Sequence, residues 1–191
     1  MSYSENSSFE MKLAYHTAPS LLGIKCASLV SFRADEFDLA CQAERFNEKA
    51  KVKGLKIKLL CGCKGRMLIL LYNEKLLTKH ISDKYSREIL KKYGYSDETD
   101  IENDLARLSE RIRSEQEFPH EIGVFLGYPL RDIYCFVNHR NRGCLMVGEW
   151  RVYHNSEEAA KMFSRFKSCR AALVRMVTQR GKTLAQIFCA A

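Results

Sequence analysis

Two strand-like segments separated by a short glycine-containing turn constrain this chain more than any other feature. In residues 55–61, apolar side chains alternate with lysines, a pattern typical of a strand with one buried face. Residues 66–72 form an almost continuous apolar run, which suits a central strand buried on both faces. Because the two segments are so close in sequence, we expect them to pair as an antiparallel hairpin.

The residues before this hairpin predict one further strand and two helices. Residues 9–16 can form a short helix that ends before Pro19, because a proline disfavours the helical conformation of its predecessor. Residues 23–32 predict a strand. Asp35 is expected to cap the next helix and Gly54 to end it. The N-terminal part is therefore predicted to be a β-α-β-β unit.

Helices are predicted for most of the middle of the chain. One helix is expected to start at Asn73, and residues 83–94 continue as helix. Residues 101–114 carry apolar side chains every three or four positions, opposite a charged face, as in an amphipathic helix. This helix is expected to connect the two basic ends of the protein.

The stretch 118–153 concentrates residues of restricted geometry, and it contains the only tryptophan of the chain. Pro119 is expected to start a short helix that ends at Gly127, and Pro129 to start another. Residues 144–153 predict a strand or hairpin arm, which a long final helix follows. We expect the first part of this stretch, up to Tyr128, to supply the functional surface.

Taken together, these elements predict an α+β fold with a small mixed or antiparallel sheet and helices packed on it. A chain of 191 residues is long enough to bury a substantial core. Three parts are distinguished, residues 1–82, 83–117 and 118–191. They are expected to form one compact domain.

His120 and Glu121 are candidates for a base and its carboxylate partner. Since adjacent helical residues do not face each other, each needs a partner from elsewhere in the chain. The candidate ligand-binding residues are His16, Lys25, His120, Glu121 and Tyr128. The alternative is that His120 and Glu121 serve only capping and turn formation at a helix start. No catalytic residue and no cofactor is identified.

The eight cysteines predict ordinary thiols rather than a metal centre. Cys61 and Cys63 form a C-x-C pair, but a structural zinc site requires four ligands, and the sequence has no second pair of this kind. The start of the chain lacks the features of a signal peptide, and no apolar run is long enough to span a membrane. A cytosolic protein with reduced cysteines and no membrane association is therefore expected.

The net charge of +8 favours anionic partners. The basic segments 49–58 and 165–182 could contact phosphates, but their aromatic residues fall on apolar stripes, so solvated faces are the preferred interpretation. Sequence-specific nucleic-acid binding is not expected. The glycine motifs of phosphate-binding loops and dinucleotide folds are absent, as is the nucleophile elbow of the hydrolases.

Three segments carry a resemblance to a known family: HTAPSLLGIK (16–25), FPHEIGVFLGYPLRDIYCFV (118–137) and GCLMVGEWRVY (143–153). These residues indicate that the chain resembles a bacterial, clostridial-type family catalogued as domain of unknown function 3793. The resemblance extends over the whole chain. The resemblance implies a small soluble protein, and it supplies no activity or catalytic residue. It also favours a link to redox chemistry or to metal and cofactor handling, with a redox or metal-handling protein as partner.

We therefore expect an uncharacterised cytosolic binding or accessory protein. One alternative is an enzyme that uses His120 and Glu121 for acid and base chemistry. Another is an anion or nucleic-acid binder that acts through the basic helices.

Overall fold

A three-stranded antiparallel sheet with helices on both faces forms the centre of the protein. The computed structural model describes residues 3–63, 65–114, 118–140, 142–179 and 183–189. In chain order, the elements are α1 (Tyr3–Leu21), β1 (Ala27–Arg33), α2 (Leu39–Ala50), β2 (Leu55–Cys63), β3 (Arg66–Asn73), α3 (Glu74–Ile81), α4 (Lys84–Lys91), α5 (Ile101–Ser114), α6 (Ile122–Phe125), α7 (Leu130–His139), β4 (Met146–Val147), β5 (Arg151–Val152), α8 (Ser156–Gln179) and α9 (Leu184–Cys189). The predicted α+β class is confirmed, and the sheet is antiparallel rather than mixed.

The strand order of the main sheet is β1-β3-β2, so the apolar strand β3 lies in the middle. Ile69 of β3 is opposite Val30 on one side and Leu59 on the other. The predicted hairpin of β2 and β3 and the central position of the apolar run are both confirmed. A bulge between Leu59 and Cys61 shifts the register of β2 near the turn.

The central strand contributes to two separate hydrophobic cores. Ile69 and Leu71 point to one face of the sheet, which α1, α2, α8 and α9 cover. Leu70 and Tyr72 point to the other face, which α3 to α7 cover. Because successive side chains of a strand point to opposite faces, the continuous apolar run of β3 matches a sheet enclosed by helices on both sides.

Two predicted boundaries near the N-terminus are wrong. Helix α1 does not end before Pro19 but continues to Leu21, because a proline this close to the helix end removes only one backbone donor. The next strand starts at Ala27 rather than Gly23, since the backbone amides of Ile24 and Lys25 both donate to the Pro19 carbonyl. This turn places Lys25 beside the end of α1.

The predicted N-cap of helix α2 is also wrong. Asp38, not Asp35, caps α2, and its carboxylate accepts from the Cys41 amide at 3.1 Å. Asp35 instead forms an exposed ion pair with Arg33. Asn73 caps α3 through the Leu76 amide, which agrees with the predicted helix start.

The C-terminal part forms the short helices α6 and α7, the two-stranded hairpin β4–β5 and the long helix α8. Pro129 lies just before α7 as its N-cap, and α6 is one turn long. Helix α9 was not predicted; it packs Leu184 and Ile187 against the core of α1 and α2. Among the described residues, no helix is both long and apolar enough to cross a bilayer.

Candidate functional site

Three depressions meet around the segment that joins α6 to α7. The apolar cleft has a volume of about 510 Å³ and is lined by Phe118, Pro119, His120, Ile122, Gly123, Tyr128, Asp132, Ile133, Phe136, Trp150 and Arg151. The central cleft, of about 770 Å³, lies between this segment, α3 and α8. The basic pocket, of about 220 Å³, contains His16, Lys25, Tyr128, Glu149 and Arg170.

Tyr128 and Trp150 form a wall between the depressions, since Tyr128 lines the apolar cleft and the basic pocket and Trp150 lines the apolar and central clefts. Their ring centroids are 5.2 Å apart at an angle of 32°. Phe163 of α8 packs edge-on against Trp150 with a centroid distance of 4.6 Å. A side chain at Gly148 would place its Cβ 2.2 Å from the Phe163 ring, so the hairpin reaches α8 only because residue 148 is a glycine.

Asp132 attaches the hairpin to α7. Its carboxylate accepts hydrogen bonds from the Trp150 indole and from the backbone amides of Tyr153 and His154, at 2.9, 2.9 and 3.1 Å. The side chain is 3% exposed. Because a buried carboxylate is stable only when its oxygens have partners, these donors hold Asp132 and Trp150 in one arrangement.

Lys25 lies at the junction of the central cleft and the basic pocket. Its Nζ is 5.1 Å from the centroid of the Tyr128 ring and 6.0 Å from that of Phe166. Burial lowers the pKa of the Lys25 ammonium group, an effect that the charge of Glu149 partly opposes. Glu149 itself pairs with Arg170 of α8.

His16 faces the basic pocket from α1. Desolvation of part of the ring, followed by the positive charges of Arg170 and Lys12, lowers the pKa of His16. The structure thus brings His16, Lys25 and Tyr128 together in one pocket. Burial raises the pKa of the Tyr128 hydroxyl to about 12, which keeps it protonated at neutral pH.

His120 lines the apolar cleft with Tyr128, but it does not line the basic pocket. Its ring packs edge-on against Phe136 with a centroid distance of 5.1 Å. Four of the five predicted site residues therefore lie around the wall of Tyr128 and Trp150. His16 and Lys25 lie on the side of the basic pocket, His120 lies on the side of the apolar cleft, and Tyr128 is part of the wall itself.

Glu121 is placed apart from the other candidates. Its side chain is fully buried and forms an ion pair with Arg111 of α5, and the Tyr95 hydroxyl donates to the same carboxylate. Glu121 lines none of the three depressions. Because its charge is neutralised in the interior, this arrangement suits a structural connection between α5 and α6.

The comparisons with known proteins identify a family. The family model described as "Protein of unknown function (DUF3793)" matches residues 13–188. The chain belongs to this family. No curated protein and no solved structure matched the chain. The matched range includes every residue of the three depressions, so the site lies within the region that defines DUF3793.

Two histidines and an aspartate of this DUF3793 site are absent from the predicted set. His154 is partly buried with Nδ1 3.4 Å from Asp132 Oδ1. His80 of α3 lines the central cleft with its Nε2 buried and without a partner. The sequence offered one reason to single out Asp132, since it is the only acidic residue between positions 122 and 148.

Potential metal ligands are dispersed in this family member. Among the described residues, no three His, Cys, Asp or Glu side chains lie close enough together to hold a metal ion. Cys26, Cys41, Cys61, Cys135, Cys144 and Cys169 are free thiols. The side chain of Cys63, the second member of the C-x-C pair, lies outside the described residues.

The basic segment 49–58 is partly neutralised. Lys56 pairs with Glu74 at 2.6 Å, and Lys58 pairs with Glu102 at 2.8 Å. These pairs connect β2 to α3 and α5, so the alternating lysines of the strand contact single acidic side chains of these helices.

Proposed function

We propose that the protein is a cytosolic binding protein for a small planar aromatic molecule that carries an anionic group. The apolar cleft is the observation that carries this proposal. Its walls include the rings of Tyr128, Phe136 and Trp150, and Arg151 and His120 are among the polar residues that line it.

The size and chemistry of the cleft support a ligand of this class. About 510 Å³ is within the range of small-molecule sites, which combine apolar walls with a few polar groups. Aromatic side chains favour flat ring systems because offset and edge-on ring contacts are attractive. The Arg151 guanidinium suits a carboxylate or a phosphate, which can accept two parallel hydrogen bonds from it.

The charge of Asp132 does not oppose an anion strongly at this position. Its oxygens accept from Trp150 Nε1 and from two backbone amides. These dipoles offset the negative charge where the carboxylate borders the cleft. Redox chemistry and metal or cofactor handling remain predictions of the family resemblance.

The enzyme alternative based on His120 and Glu121 has less support than ligand binding. Glu121 pairs with Arg111 in the interior and lines none of the three depressions, so it is not available to the same ligand as His120. Nucleic-acid binding through residues 49–58 also has less support, because Lys56 and Lys58 already have acidic partners.

Calorimetry with the purified protein tests the proposal. 1-Naphthoate supplies both a flat ring system and an anionic group, 1-naphthylmethanol supplies the ring system alone, and decanoate supplies an anion on a flexible chain. We expect 1-naphthoate to bind most tightly. Phe136→Ala and Arg151→Gln should each weaken its binding by about tenfold, which corresponds to about 1.4 kcal/mol.

Tyr134→Ala is the matched control, because Tyr134 lies on α7 like Phe136 but is 58% exposed. This variant should bind 1-naphthoate as the wild type does. Two results would overturn the proposal: no heat of binding for 1-naphthoate up to about 1 mM, or equal affinities of wild type, Phe136→Ala and Arg151→Gln.

A further inference from the structure

Lys25 is a lysine whose amine lies between aromatic rings at the edge of the central cleft. The side chains of Tyr128 and Phe166 flank its Nζ at 5.1 and 6.0 Å. No ion pair joins Lys25 to any other residue in the described part of the chain. This distinguishes it from Lys56 and Lys58, each of which has a carboxylate within hydrogen-bonding distance.

The backbone of Lys25 is held firmly in this position. Its amide and that of Ile24 both donate to the Pro19 carbonyl, at 3.1 and 2.8 Å. The amine therefore projects from a fixed turn into a cleft that is large enough for a small molecule. Burial lowers the pKa of the ammonium group, and a desolvated lysine of this kind is a better nucleophile at neutral pH.

We propose that Lys25 Nζ forms a reversible imine with a small carbonyl compound bound in the central cleft. The neutral amine attacks the carbonyl carbon, a C–N bond forms, and the carbonyl oxygen takes up a proton. Loss of this oxygen as water and formation of the C=N bond complete the step, so that amine and carbonyl give imine and water without any oxidant or reductant.

The surroundings of Lys25 fit this chemistry at two points. The protonated imine is a cation in the place of the ammonium group, so the faces of Tyr128 and Phe166 stabilise it as they do the lysine. His154 lines the same cleft and can exchange protons with the departing oxygen, because the contact of its Nδ1 with Asp132 orients the ring.

The remaining side chains of the central cleft indicate the kind of carbonyl compound. Lys79 and Arg131 can pair with an anionic group that lies beside them, away from the acidic residues Asp83, Asp132 and Glu158 of the same lining. Trp150 and Phe166 favour a ring. An aromatic aldehyde that carries a carboxylate combines these features. This inference does not depend on the apolar cleft, because the central cleft and the amine of Lys25 are separate from the walls formed by Phe136 and His120.

Reductive trapping of the imine with cyanoborohydride tests the inference. The whole protein is incubated at neutral pH with limiting 4-formylbenzoate and sodium cyanoborohydride, and the adducts are located by peptide mass spectrometry. We expect Lys25 to be modified several-fold faster than Lys79, which lines the same cleft but is exposed. The rate at Lys25 should also reach its maximum at lower pH than the rates at exposed lysines.

Lys25→Arg keeps the positive charge but cannot form an imine, and circular dichroism checks that it folds. It should lose the selective adduct while 1-naphthoate still binds in calorimetry. Adducts distributed according to lysine exposure would overturn the inference. So would 4-formylbenzoate that binds to the protein without any adduct at Lys25, since the ligand would then occupy a site that does not use the amine. Neither result affects the proposal for the apolar cleft.

Discussion

The indole Nε1 of Trp150 donates a hydrogen bond of 2.9 Å to Oδ2 of Asp132, across the boundary between the hairpin β4–β5 and helix α7. Both residues line the apolar cleft and the central cleft. One buried carboxylate thereby sets the position of the ring that separates the two clefts. The position of Trp150 in both clefts therefore depends on this contact.

Asp132→Asn should loosen the hairpin. The side-chain amide of Asn has an NH₂ donor where Asp132 has an acceptor oxygen, and this donor would face the N–H groups that now donate to the carboxylate. The free energy of unfolding should therefore fall by about 1–3 kcal/mol. Urea denaturation measures this change, and the emission of Trp150 should shift to longer wavelength in the folded variant. Asp35→Asn, at an exposed ion pair, should change stability by less than about 0.5 kcal/mol. Equal effects of the two substitutions would contradict the anchoring role of Asp132.

Gly127→Ala should destabilise the protein through two effects. Gly127 has a φ of 69°, where an alanine is strained, and the new Cβ would lie 2.7 Å from Cys26 Sγ. Gly23→Ala is the matched control, because its φ is 70° but no atom lies within 4 Å of the added Cβ. Backbone strain alone is about 1–2 kcal/mol, so thermal or urea unfolding should show a clearly larger loss for Gly127→Ala. Similar losses for both variants would show that the Cys26 contact is not tight.

Glu121→Gln should reduce stability strongly, since the substitution removes a buried carboxylate charge that pairs with Arg111 and accepts from the Tyr95 hydroxyl. Removing one partner of a buried ion pair destabilises a protein by about 3 kcal/mol or more. Glu110→Gln removes the exposed partner of Arg107 and should change stability by less than about 1 kcal/mol. If Glu121→Gln proved as mild as Glu110→Gln and instead abolished ligand binding, Glu121 would be a binding residue, as the sequence predicts.

The different outcomes for these residues show what the sequence could predict. The sheet followed from local patterns, because alternation in β2 and a continuous apolar run in β3 depend only on neighbouring positions. His120 and Tyr128 lie close together along the chain, so their common cleft was also predictable. The partners of Glu121 lie outside its own helix, with Arg111 10 and Tyr95 26 positions before it in the sequence, and no local pattern predicts such a pair. The same holds for Asp132 and Trp150, which become neighbours only when the hairpin folds onto α7.

His80 should make the stability depend on pH. Burial lowers the pKa of its imidazole, against smaller opposing effects of Asp83 and of a hydrogen bond to the Val124 backbone. The unfolded chain therefore binds the proton more readily than the folded protein. The contribution of neutral His80 to stability is present above about pH 6.5 and declines as the pH falls below that value. Urea unfolding between neutral and mildly acidic pH should show a smaller decline for His80→Gln than for the wild type. His139→Gln is the control, because His139 is exposed, and this variant should show the same decline as the wild type. A decline in His80→Gln equal to that of the wild type would contradict the prediction.

A fluorescence titration of Trp150 tests ligand binding at the shared wall most directly, because this residue is the only tryptophan of the chain. With 1-naphthoate, and after correction for absorption by the ligand, we predict saturable quenching in the wild type and in Tyr134→Ala, with a midpoint about tenfold higher in Phe136→Ala. Emission that stays unchanged up to about 1 mM ligand, or quenching with the same midpoint in all three proteins, would contradict a ligand site in the apolar cleft.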